Sequence, residues 1–347
     1  MRFLEFTASE NDNDRRLDRI VRKFIHIQNL SGIYSAIRKG FVKVNGKKVS
    51  PPTRIFSGDK IKIADFLISH ENKTAADTIK TISDDTAKCV QKNAPPNYLF
   101  PYETVFHNEH ILVLNKPCGV SVHGKENSLE KEVRRFFKMT AKDTSLSFSP
   151  GPLHRLDKYT SGLISFSWSI QGAHWFSHAL SHHEIHKTYL GIASGILKKE
   201  EKWEDFILDN KKNETEVDSR MSRGKSDKMF HTVHASSQKQ NDFSKLALTT
   251  ATPLAYGEYK KNPVTVIQYN IETGRTHQIR AQSALHHLPL LGDTAYGAEK
   301  LPSAIFFLHA KKLEAPKENA IGLPSVLHAE IPRQFKEFLK GCEMGEL

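Results

Sequence analysis

Between residues 105 and 269 the chain carries strand-like and helical runs in an order that never settles into strand–helix–strand alternation, and this constrains the fold most. Ile111-Leu112-Val113-Leu114 is a continuous apolar run closed by Lys116-Pro117-Cys118-Gly119, which predicts a buried strand. Leu163 to Trp168 alternates apolar and polar residues and predicts a half-buried strand, followed by a helix on which Ala173, Phe176, Ala179 and Leu180 share a face. Further strands are expected over Tyr189–Ala193 and Val264–Tyr269. A doubly wound sheet would need a regular crossover rhythm, so the expected class is α+β, with a mixed sheet.

A second constraint comes from residues 69 to 100, which are polar, lack a sustained apolar period and contain Pro95-Pro96. We read them as a linker between a domain at 1–68 and a domain at 101–347. The first 68 residues hold fourteen Lys and Arg against seven Asp and Glu, a large part of the net charge of +11 on all 347 residues. Leu17, Ile20, Val21 and Phe24 recur at helical spacing between Arg15, Arg16, Arg19, Arg22 and Lys23, giving one apolar stripe and one cationic flank. A second helix is expected over Ile33–Lys39, ended by Gly40, and Asn45-Gly46 between short β-prone runs signals a hairpin. Arg16-Leu17-Asp18, Ile37-Arg38-Lys39-Gly40, Val42 to Gly46 and Gly58-Asp59 resemble an S4-type RNA-binding domain. Cations on rigid helix and hairpin edges suit phosphate contact without base reading.

Three scattered cysteines, Cys89, Cys118 and Cys342, make neither a disulfide framework nor a thiolate zinc site. With no apolar run at Met1–Arg16 and no long apolar stretch after it, the chain reads as a cytoplasmic protein without membrane association.

Two stretches concentrate polar chemistry. Gly151 to Leu163 places Asp157 between Arg155 and Lys158, where positive charge favours an ionised carboxylate able to act as nucleophile or general base. Thr273 to Arg280 brackets hydrogen-bonding side chains with Arg275 and Arg280, a cluster suited to phosphate or carboxylate. Taken with Val113 to Pro117, Gly119, His123, Lys187-Thr188-Tyr189-Leu190, Gly292-Asp293, Tyr296-Gly297 and Leu308-His309-Ala310, these strings resemble the RluA-type family of pseudouridine synthases, over residues 101 to 315. The likeness is strongest to the RluC and RluD kind, which act on large-subunit ribosomal RNA; Ile33-Tyr34 before Ile37 to Gly40 leans towards RluC.

The resemblance implies a catalytic domain with a mixed, largely antiparallel sheet, preceded by a small S4-like α+β domain, and a reaction that breaks the N1–C1′ bond of a uridine, rotates the base and rejoins it through C5, without metal, redox cofactor or activated co-substrate. It assigns catalysis to Asp157, Tyr189 and Arg280: Asp157 forms a covalent adduct or removes a sugar proton to give a glycal, Arg280 pairs with Asp157, and Tyr189 stacks on the base, where its hydroxyl helps deprotonate C5. Arg155 is implied as the wedge that replaces the everted base. The expected RNA contacts are Lys116, His154, Arg155, Thr160 and Arg275 in the catalytic domain, and Arg16, Arg38, Lys39 and Lys43 in the N-terminal one. The partner is RNA, most directly 23S ribosomal RNA or a pre-ribosomal particle, and the protein is expected to act as a monomer. Competing readings are a transfer-RNA synthase, a catalytically silent RNA-binding protein of the same fold, and an Asp-based hydrolase.

Outside the resemblance, His174, His178, His182 and His186 recur every fourth residue and are expected on one helix face. In residues 198–245 the hairpin landmarks of the family are faint.

Overall fold

The computed structural model describes residues 1–27, 29–68, 100–124, 127–140, 145–146, 148–208, 233–241, 243–302 and 306–342. The stretch read as a linker therefore lies outside the described residues except at Phe100. The chain packs into two compact units. The first comprises Met1–Pro101, Lys131–Gly151 and Ser167–Ala173; the second comprises Tyr102–Glu130, Pro152–Phe166 and His174–Leu347.

In the first unit, β1 (Phe3–Thr7), β3 (Val42–Val44), β4 (Lys47–Lys48) and β6 (Lys60–Ala64) form an antiparallel sheet in the order β1-β6-β3-β4. A separate two-strand ribbon pairs β2 (Arg15–Arg16) with β5 (Arg54–Ile55). Helices α1 (Leu17–Val21) and α2 (Leu30–Arg38) bury Leu17, Ile20, Val21, Ile33 and Ile37 in one core with Val42, Ile61 and Ile63. Helix α1 stops at Val21, one turn before Phe24, while α2 starts earlier than expected because the Asn29 side chain accepts from Gly32 N (2.7 Å). The Asn45-Gly46 hairpin forms as expected, both residues at positive φ (48° and 78°). The core reaches beyond residue 68: Asp12 accepts from Leu146 N (2.8 Å) and Ser145 Oγ (2.9 Å), and Asn11 from Ile170 N (2.9 Å).

The second unit is built on ten strands: β7 (Glu103–His107), β8 (Ile111–Lys116), β9 (Ser161–Ser167), β10 (His186–Ser194), β11 (Glu201–Leu208), β12 (His234–Ser236), β13 (Lys245–Tyr259), β14 (Asn262–Ile271), β15 (Leu308–Glu314) and β16 (Val326–His328). Their order is β12-β11-β13-β14-β10-β15-β9-β8-β7, with β16 also on β15. The β15–β9 pair is parallel and the β10–β14, β13–β14 and β11–β13 pairs are antiparallel, so the sheet is mixed and largely antiparallel, as expected. Every residue of β9 is buried, not alternate ones, because it is an interior strand between β15 and β8. In the 198–245 region β11 pairs β12 antiparallel, Phe206 opposite Ser236; residues 209–232 lie outside the described ones.

Among the described residues the remaining helices are α3 (Leu129–Thr140), α4 (Ile170–Ser181), α5 (Gln278–Leu285) and α6 (Arg333–Gly341). Helix α4 ends at Ser181, and His183 turns the chain at φ 58° into β10. Only three of the four spaced histidines therefore lie on or just past the helix, and His186 opens the strand. His182 stacks on His178 with centroids 3.9 Å apart. Among the described residues no helix is long and apolar enough to cross a membrane.

Candidate active site

The loop carrying Asp157 is tied to the strand that follows it. Leu153 N donates to Ser165 O (2.8 Å), and the Ser165 amide donates to His154 Nε2 (3.0 Å). Burial pushes His154 down to about 3, so its ring is neutral and can accept that bond. Its Nδ1 is buried without a partner among the described residues, and so is Thr160 Oγ1. His154 thus braces the loop from within. Thr160 N closes a turn onto Asp157 O (3.1 Å), and Gly162, at φ 106°, lies against β15. A Cβ at Gly162 would collide with the Ala310 backbone, so only glycine permits this approach.

A second loop, between β14 and α5, is organised by Gln278. Its Oε1 accepts from Thr273 Oγ1 (2.8 Å) and Arg275 N (3.0 Å), while its Nε2 donates to Leu248 O (3.0 Å). His277 takes the left-handed conformation (φ 51°) just before α5, which turns the following residues inward. In the first turn of α5, Arg280 is buried.

Asp157, Tyr189 and Arg280 meet in a cleft of about 330 Å³, within the usual size range for sites that enclose a small ligand. Arg280 Nη1 stands 3.4 Å from Asp157 Oδ2, and His277 Nε2 stands 3.7 Å from Oδ1. The expected Arg280–Asp157 pair is present, but it is the longer of two. Arg280 forks onto Asp293, Nε to Oδ2 at 2.6 Å and Nη2 to Oδ1 at 2.8 Å, with the rings of Phe306 (4.5 Å) and Tyr296 (4.9 Å) against its guanidinium. Burial opposes the charge on Arg280, but Asp293 and then Asp157 more than offset it, holding the guanidinium above its ordinary range. Tyr189, on β10 opposite Tyr269, is buried; burial and then the charge of Asp157 raise its phenol well above the ordinary value. It is a neutral aromatic face with a hydroxyl, and any proton it took from C5 would have to be matched by one leaving its own oxygen.

Asp293, His277 and Tyr296 are site residues that sequence reasoning left without a role. Tyr296 OH bonds His277 Nδ1 (3.0 Å) and receives Val233 N (3.0 Å), so the Asp293–Tyr296 turn braces both Arg280 and His277 near Asp157. The available signal was the Gly292-Asp293…Tyr296-Gly297 spacing after α5, together with the need of a buried Arg280 for a carboxylate.

The other expected residues divide. Arg155 and Arg275 line the cleft and are exposed, with Arg275 Nε donating to Leu246 O (2.9 Å). Thr160 also lines it but is buried. Lys116, expected to meet RNA, is instead fully buried, and its ammonium donates to the carbonyls of Val120 (2.9 Å), Pro117 (3.0 Å) and Lys158 (3.1 Å). Burial lowers it to about 8 despite the nearby Cys118 and Asp157. It pins the strand end to the Asp157 loop and has no group left to offer a phosphate. In the first unit Arg38 and Lys39 are exposed, Lys43 sits over the Phe3 ring (5.2 Å), and Arg16 is forked onto Asp18 (2.8 and 3.1 Å).

The family model described as RNA pseudouridylate synthase matches residues 110–285. A ribosomal large subunit pseudouridine synthase C from Rickettsia bellii is 26% identical, over 92% of this chain and 95% of the relative. A tRNA pseudouridine synthase C from Vibrio cholerae is 30% identical, over 61% of this chain and 84% of the relative. The solved structure of human RNA pseudouridylate synthase domain containing 4 matches with a TM-score of 0.53 at 20% identity, covering 70% of this chain and 94% of that one, a likeness of fold.

Proposed function

Because the chain belongs to the RNA pseudouridylate synthase family, we propose that it isomerises specific uridines of large-subunit ribosomal RNA, with Asp157 as the catalytic carboxylate. The observation that supports this reading best is the convergence of Asp157, Arg280 and Tyr189 on one cleft from three separate parts of the chain. The likeness to the Rickettsia synthase spans nearly the whole chain, N-terminal unit included, whereas the likeness to the Vibrio tRNA synthase covers 61% of it; this favours ribosomal over transfer RNA.

A uridine everted into the cleft presents its sugar to Asp157 and its ring to Tyr189. The N1–C1′ electron pair leaves with the base, the base turns, and C5 bonds to C1′ as its proton departs, so that atoms balance without a co-substrate. Both the adduct and the glycal route begin with a carboxylate oxygen at the nucleotide, and both need it aimed. Arg280, His277 and the buried Lys116 surround Asp157 with positive charge or hydrogen-bond donors for that purpose. Eversion costs a few kcal/mol, and the exposed Arg155, two residues from Asp157, is the side chain suited to fill the vacated stack. We assign residues 1–68 to an S4-like module whose exposed Arg38 and Lys39, with Lys43, hold RNA phosphates, and 101–347 to catalysis.

The test is a pseudouridine map of ribosomal RNA from cells lacking the gene. One or a few large-subunit positions should lose the modification and regain it with the wild-type chain but not with Asp157→Asn. An unchanged map would leave a silent RNA-binding protein as the better reading.

A further inference from the structure

Two lysines on the sheet of the second unit, Lys116 fully buried and Lys187 half-buried in the cleft wall, are treated differently by the protein. Lys116 is satisfied by three carbonyls. Lys187, on β10 between Ile271 of β14 and Leu313 of β15, has no carboxylate or hydrogen-bond acceptor of its own among the described residues. It shares the face of β10 that carries Tyr189 and lines the same cleft as Asp157. Its ammonium sits against the bare backbone of Gly274, 3.6 Å from where a Cβ would stand, so glycine at that position keeps the ammonium uncovered. Burial alone lowers Lys187, to about 8. A partly desolvated cation without a counter-charge is costly unless something brings one.

We infer that Lys187 is the phosphate grip of the cleft, its ammonium binding a non-bridging oxygen of the phosphodiester next to the everted uridine. A uracil carbonyl could accept one hydrogen bond from it, but would return only part of the charge that burial has stripped of water. A phosphodiester brings a full negative charge, and an everted nucleotide carries one on each side of its sugar. Arg155 and Arg275, exposed on the same cleft, draw the polyanion in, and Lys187 fixes it beside Asp157. The inference rests on the cleft being the uridine site.

The experiment uses the full-length protein and a single-stranded oligouridylate, with affinity read by fluorescence anisotropy across KCl concentrations. Lys187→Met should bind about tenfold more weakly, and its log–log salt slope should flatten by about 0.7, the loss of one phosphate contact on a single strand. Lys187→Arg should keep the wild-type slope. Weaker binding with an unchanged slope would assign Lys187 to a neutral base contact and overturn the proposal, as would unchanged affinity. Should the methionine variant fail to fold, wild-type protein with an oligouridylate bearing neutral methylphosphonates keeps the question open to refutation: loss of affinity without loss of slope contradicts a phosphate grip. Turnover is measured separately, so a wild-type chain that forms no pseudouridine would refute the proposed function while leaving the salt slope to judge Lys187.

Discussion

Replacing Asp293 by asparagine removes one charge and keeps the shape, and it isolates what holds Arg280. In the native site Asp293 is 2% exposed and accepts both bonds of the Arg280 fork, while Arg280 is 10% exposed and has Asp157 only as a longer partner. Asparagine offers one acceptor and turns an N–H₂ towards the other donor. Removing one member of a buried pair costs about 3–5 kcal/mol, and asparagine, which keeps one bond, should sit at the lower end, about 3 kcal/mol. The guanidinium left behind has one carboxylate within reach and closes on Asp157. A carboxylate gripped that tightly is withdrawn from the nucleotide, and a loss of about 2.7 kcal/mol in transition-state stabilisation is a hundredfold in rate. Urea denaturation reads the first effect; release of tritium from C5-labelled uridine in single-turnover conditions, well below the unfolding midpoint, reads the second. Asp293→Asn with native stability and native turnover would refute the dependence of Arg280 on Asp293.

Other expectations follow from the same geometry. Arg280→Lys keeps the charge but cannot make the fork, so turnover should drop about a hundredfold while RNA affinity stays within about tenfold; a near-native rate would remove Arg280 from the chemistry. Lys116→Met removes three hydrogen bonds, leaving Lys158 O only its bond from Gly119 N, and should destabilise the protein by about 3 kcal/mol in urea, with an unchanged midpoint as the contrary result. His309, fully buried between Ser161 Oγ (3.0 Å) and Ala329 O (3.4 Å), is lowered to about 4, chiefly by burial. The unfolded chain then binds the extra proton as pH falls from about 6.5 to about 4, so His309 removes up to about 3 kcal/mol of stability across that window and none above it. His309→Gln should show a flatter loss of stability there, and parallel curves would count against this. Deleting residues 1–68 should reduce RNA affinity and its salt slope, and should also destabilise what remains, since Leu146, Ser145 and Ile170 lose their acceptors on Asp12 and Asn11; an unchanged melting temperature of the truncated chain would contradict the second half.

What the sequence made legible was what short spacing encodes. The Asn45-Gly46 hairpin, the apolar run of β8 and the strand over Val264–Tyr269 within β14 depend on neighbours a few residues apart, and they stand where patterning puts them. Asp157, Tyr189 and Arg280 were found through motif strings, and they do converge. What escaped depends on long-range pairing. Nothing local in Lys116 distinguishes an ammonium that clasps Lys158 O, 42 residues on, from one bathed in solvent. Nor does the local pattern around Arg280 say that Asp293, across a helix and a turn, outcompetes Asp157 for its fork. The histidine spacing misled for the opposite reason: a four-residue period continued past the point where the left-handed His183 ended the helix.

The seat of Gly162 against Ala310 has a consequence for how a scaffold of this kind can be altered. It anchors the carboxylate-bearing loop, so the exposed Lys158 beside it can be exchanged without shifting the carboxylate. Choice of transcript and competence for chemistry are thereby separable properties. Libraries built at position 158 should yield altered target preference at preserved turnover, whereas any side chain installed at position 162 should extinguish both together.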